Sequence, residues 1–182
     1  MKKNAFRPAA RAIILAGSIC SAPYLAQAQT SPPPAAPAPP PCAAPEWRAF
    51  DFWLGEWNVY LPDGKLAGQN SITREYGGCV LHERYSTPRA YAGESLNTWD
   101  AQRKVWHQTW VDNSGTLLLL EGGMQGKSMV MQGMGTDNAG KPQMQRITWT
   151  PNADGSVRQL WENQTAPDKW GVVFDGLYKR KS

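Results

Sequence analysis

From residue 56 onward the chain is a succession of short strand-like runs, many of them alternating apolar and polar residues. Turn-forming residues separate them at near-regular spacing, and none sustains the period of a helix. The predicted strands are Glu56–Leu61, Gln69–Tyr76, Cys79–Ser86, Glu94–Trp99, Val105–Val111, Thr116–Glu121, Ser128–Gly133, Gln143–Thr150, Val157–Asn163 and Lys169–Tyr178. Their joints carry turn chemistry: Pro62-Asp63-Gly64, Gly77-Gly78, Asp112-Asn113-Ser114-Gly115, Gly122-Gly123, Asp137-Asn138-Ala139-Gly140 and Asn152-Ala153-Asp154-Gly155. Only Pro45–Leu54 reads as helical, for a turn or two. Parallel crossovers therefore have no helix to run through. The expected fold class is all-β: one antiparallel up-and-down barrel of about ten strands, closed because closure removes the sheet's edges.

The N-terminal part does not belong to that pattern. Lys2, Lys3, Arg7 and Arg11 precede a short apolar run from Ala12 to Cys20, and Ala26-Gln27-Ala28 fits the small-x-small cleavage rule. The run is well short of the roughly 20 residues that span a bilayer. Residues 1–28 are thus read as a signal peptide cleaved after Ala28, giving a secreted or periplasmic protein with no transmembrane segment. Ile19 stands before Cys20 where a lipoprotein signal needs a small residue. Residues 29–45 are rich in Pro and Ala and read as a semi-rigid disordered linker; the barrel domain is 46–182.

Charge and cysteine content change once the signal is set aside. Four of the 19 basic residues lie in it and none of the 15 acidic ones, so the mature chain balances 15 against 15. No electrostatic footprint for nucleic acid remains. Of three cysteines, Cys42 and Cys79 stay, and in an oxidising compartment they read as one disulfide, worth about 4 kcal/mol on the chain-entropy model. Two free buried thiols are the alternative. Two cysteines and two histidines without ligand spacing offer no metal site, and no cofactor is implied.

All nine tryptophans fall after the linker. Alternation groups Ser95, Asn97 and Trp99 on one strand face, Trp106, Gln108 and Trp110 on the next, Ile147 with Trp149, and Gln159 with Trp161. If these faces point inward, indoles and amides line a small-molecule pocket, with Asn97, Trp99, Trp106, Gln108, Trp110 and Trp161 as the candidate lining. They would equally serve a filled core. His107 lies opposite Trp106 and Trp110 and so points outward. His82 shares a face with Val80 and Arg84. Glu83 shares one with Leu81 and Tyr85, with Arg74, Arg146 and Arg158 as possible partners. Asp112 reads as a turn residue.

Phe50-Asp51-Phe52-Trp53-Leu54-Gly55-Glu56-Trp57, Gly78-Cys79, Ser95-x-Asn97-x-Trp99-Asp100, Trp106-His107-Gln108-Thr109-Trp110-Val111-Asp112 and Phe174-Asp175-Gly176-x-Tyr178 together resemble an uncharacterised bacterial family of secreted lipocalin-like proteins. The resemblance spans nearly the whole barrel domain. It implies a calycin-type barrel whose first-strand Gly-x-Trp indole, here Trp57, is covered by a basic residue of the last strand, by position Arg180, as a structural plug. It implies no activity. Some related barrels bind haem through a late axial histidine, but no histidine follows His107.

These readings favour a barrel that binds a small hydrophobic or aromatic molecule. An enzyme using the same pocket, with Glu83 or His107 as acid–base group, is the alternative, and a solid-core structural or envelope-associated protein is the third.

Overall fold

The computed structural model describes residues 39–137 and 139–181. The predicted signal peptide and most of the linker lie outside the described residues. A single turn of helix, α1 (Pro45–Arg48), and a 3-10 turn (Asp51–Trp53) lead into ten strands. These are β1 (Gly55–Tyr60), β2 (Leu66–Glu75), β3 (Val80–Ser86), β4 (Ala92–Asp100), β5 (Val105–Asp112), β6 (Leu117–Gln125), β7 (Ser128–Thr136), β8 (Pro142–Pro151), β9 (Val157–Ala166) and β10 (Lys169–Arg180). Each pairs antiparallel with its neighbours in the chain, and β1 pairs with β10 to close the barrel. Every strand expected from the alternation is present, most of them extended by a few residues.

One predicted joint is not a joint. Gly122 and Gly123 lie inside β6, and the hairpin turns instead at Gly126-Lys127. Gly122 pairs with Trp106 on one side and Met131 on the other. A Cβ added there would collide with the Val130 carbonyl oxygen, so close strand approach demands the glycine, not a turn.

Antiparallel order places the connections alternately at two ends, which differ. At the end where β1 begins, α1 and the 3-10 turn pack across the barrel. Phe50 and Trp53 are fully buried with rings 4.9 Å apart, and Phe50 also meets Trp106 and Trp149 at 5.7 and 5.2 Å. Trp57 donates its indole N–H to the Trp53 carbonyl at 2.9 Å. The Arg180 guanidinium lies 4.5 Å from the Trp57 ring centre and donates to the Leu54 carbonyl, a contact worth about 1 kcal/mol. The Cys42–Cys79 disulfide joins the stretch before α1 to the start of β3 across 37 residues, with Cα atoms 5.1 Å apart. This end is closed. The other end, bounded by the β1–β2 and β3–β4 loops, is open.

Candidate functional site

At the open end the interior holds a cavity of about 690 Å³. Its walls are largely aromatic: Tyr85 from β3, Tyr91 from the β3–β4 loop, Trp110 from β5, Trp161 from β9 and Phe174 from β10, with Leu118 and Ile147 between them. Lys65 and Arg89 stand at the rim, and Glu83, Gln108, Gln159 and Tyr178 form the floor.

The wall indoles have their polar atoms engaged by the protein, which leaves ring faces for an occupant. Trp161 donates to Gln145 Oε1 at 2.7 Å. Trp110 donates to Asp112 Oδ2 at 3.2 Å, and the same oxygen accepts from the Tyr91 hydroxyl at 2.9 Å. Burial raises the Asp112 pKa, but hydrogen bonds from Ser114, Thr116, Tyr91 and Trp110 outweigh it and leave the carboxyl well below its ordinary value. Asp112 therefore closes a turn and also anchors two wall aromatics. Gly93 makes room for one of them, since a Cβ there would collide with the Trp110 ring.

Under the cavity a hydrogen-bonded belt crosses the barrel. Gln108 Nε2 donates to Asn97 Oδ1 at 2.8 Å, Asn97 Nδ2 to Ser95 Oγ at 2.8 Å, and Ser95 Oγ to Glu83 Oε2 at 2.6 Å. Asn70 Nδ2 donates to Glu83 Oε1 at 2.7 Å and to the Tyr178 hydroxyl, which in turn donates to Gln159 Oε1. All seven side chains are buried. Desolvation pushes the Glu83 pKa up to about 7 against the opposing hydrogen bonds of Ser95 and Asn70. Burial likewise raises Tyr178, with the Glu83 charge adding to it.

Gln108, Trp110 and Trp161 thus line the cavity, and Asn97 lies one layer beneath in the belt. Trp106 and Trp99 do not line it. Trp106 is 2% exposed among the closed-end aromatics, and Trp99 packs against that core. Trp106 and Trp110 share a face, but four residues of strand separate them by about 13 Å, so one serves the sealed end and the other the mouth. Nor does Glu83 pair with an arginine. Arg74 bonds Asp51, Arg146 bonds Glu162 and Arg158 bonds Asp175, because those side chains face outward or lie at the sealed end.

His107 is on the outer face beside Glu121 and Thr109, and His82 lies between Glu75 and Glu94. Among the described residues no cluster of His, Cys, Asp or Glu could hold a metal ion, and no helix is long and apolar enough to cross a membrane.

Asn70, Tyr91, Phe174 and Tyr178 are additions to the expected site. For Asn70 a signal exists, since it shares its strand face with Ile72. For Phe174 there is little, because the β9–β10 register shifts between Val172 and Phe174 and breaks the alternation.

The sequence matches no protein-family model, and no curated protein matches it.

Proposed function

We propose that this chain is an exported lipocalin-like barrel that binds a small, largely apolar or aromatic molecule at its open end. The observation that carries the reading is the cavity of about 690 Å³, walled by aromatic rings and floored by a polar belt. That combination suits an occupant with an apolar body and one polar end. The basic n-region and Ala26-Gln27-Ala28 support export with cleavage after Ala28, and a disulfide is compatible with an oxidising compartment. The aromatic opening motif supports the family resemblance.

An uncharged, environment-sensitive dye such as N-phenyl-1-naphthylamine tests the binding. Trp110→Phe and Trp161→Phe should each weaken it about 3-fold to 30-fold, the range for loss of one buried aromatic contact. Trp106→Phe should leave dye affinity within about 2-fold while lowering stability. Equal effects of all three would place the dye elsewhere.

A second reading has a specific observation behind it. Glu83 combines a raised pKa with a place on the cavity floor, as an acid–base catalyst requires. In that case the protein turns over the molecule it binds, and Glu83→Gln retains binding while abolishing turnover.

A further inference from the structure

Glu83 has no counter-charge within hydrogen-bonding distance among the described residues. It is 3% exposed, and its hydrogen-bond partners among the described residues are the uncharged Asn70 and Ser95. The other side chains facing it from β2, β4, β5, β9 and β10 are neutral at ordinary pH: Ile72, Asn97, Gln108, Gln159 and Tyr178. Tyr85 is the other titratable group on its own inner face, while His82 lies on the outer face of β3. At the rim, Lys65 is held 2.6 Å from Asp63, Arg89 lines the mouth, and Asp112 stands behind Trp110.

The belt's donors are already committed. Those of Asn70, Ser95, Gln108 and Tyr178 are all engaged within it and those of Asn97 by Ser95 and the Leu81 carbonyl, with the Gln159 amide the exception. Its acceptors are in surplus. Each Glu83 oxygen accepts one hydrogen bond and has capacity for another, and Asn70 Oδ1 is buried with no partner at all. A buried acceptor without a donor is costly and rare. What the floor lacks is a positive charge to meet the spare capacity of the Glu83 oxygens.

We infer that the occupant of this cavity is a cationic amine on an apolar or aromatic body, its ammonium seated on the Glu83 carboxylate and its body held between Tyr85, Trp110 and Trp161. This rests on the binding reading above. An ammonium supplies the missing counter-charge, and its N–H donors fill the spare acceptor capacity of the Glu83 oxygens on the cavity floor. The aromatic walls act in the same direction, because ring faces attract cations more strongly when water is excluded. A carboxylate-bearing occupant would instead bring a second negative charge to an uncompensated buried carboxyl.

Calorimetric titration with a matched trio of probes tests this: 1-naphthylmethylamine, 1-naphthylmethanol and 1-naphthoate. The amine should bind about tenfold or more tightly than either other probe. Because the amine needs Glu83 ionised, its affinity should rise as pH increases through about 7 and then level off. In Glu83→Gln the preference should shrink to about 3-fold or less while the alcohol still binds. An alcohol or naphthoate that binds as well as the amine, or an amine affinity flat in pH, would overturn the inference and leave the binding reading standing. If neither the three probes nor the dye above binds the folded protein, the binding reading itself fails, and the inference with it.

Discussion

Glu83 is the residue at which the barrel works against its own solvation. Its carboxyl is buried at the cavity floor and its pKa is pushed up to about 7 from an ordinary 4.5, chiefly by desolvation. Below about pH 4.5 the group is protonated in both folded and unfolded chains and exerts no pH effect. As pH rises toward 7 the unfolded chain loses the proton while the folded chain keeps it, so stability falls; above 7 the loss is complete. The penalty is roughly 3 kcal/mol. Glu83→Gln should remove it, so that the variant gains on the parent between about pH 4.5 and about pH 8 in urea denaturation. Parallel pH profiles for the two proteins would mean that Glu83 ionises freely in the fold. Alternation with Leu81 and Tyr85 was enough to place this carboxyl inside. Its partners were not legible, because Asn70 and Ser95 are brought to it by strand register and not by sequence proximity. The arginines suggested as partners fail for another reason: Arg146 and Arg158 face outward, and Arg74 lies at the sealed end against Asp51.

At the scale of elements, the strands and most turns could be read from the chain, since period two and turn chemistry are local signals. The gradient along each strand was harder. Which end of the barrel a tryptophan occupies depends on what seals that end, and the plug is built by α1 and the 3-10 turn from residues before β1. Alternation therefore groups Trp106 with Trp110 although the two serve opposite ends. The Cys42–Cys79 bridge fixes the plug segment to β3. Replacing both cysteines by serine should cost about 4 kcal/mol in denaturant unfolding. It should also raise the amide exchange of Trp47 to Trp53 before that of the strands. A variant with unchanged stability would show that the aromatic packing of Phe50 and Trp53 holds the plug without the tether.

For the molecule as a whole, the meander order of strands followed from short connections alone, and barrel closure followed from the need to satisfy two edges. The shape of the interior did not follow. An aromatic-rich lumen is compatible with a filled core or an open one, and the structure contains both: a solid half around Phe50, Trp53, Trp106 and Trp149, and a hollow half under Tyr91 and Trp110. The division lies at the Glu83 belt, where a buried polar layer needs partners that a dry core does not offer.

The seam between β1 and β10 also governs how the chain reaches this state. Nine pairings join consecutive strands and can form as local hairpins, whereas the tenth brings Trp57–Tyr60 to Leu177–Arg180 in four residue pairs. Contacts so distant in sequence form late and slowly. Native-state hydrogen exchange should find the seam amides opening at lower free energy than those of β7 and β8; the opposite order would place the weak point elsewhere. Until the seam closes, an unfinished barrel carries two bare strand edges that can pair with another chain. The yield on refolding is then a race between closure, which does not depend on concentration, and encounter, which does.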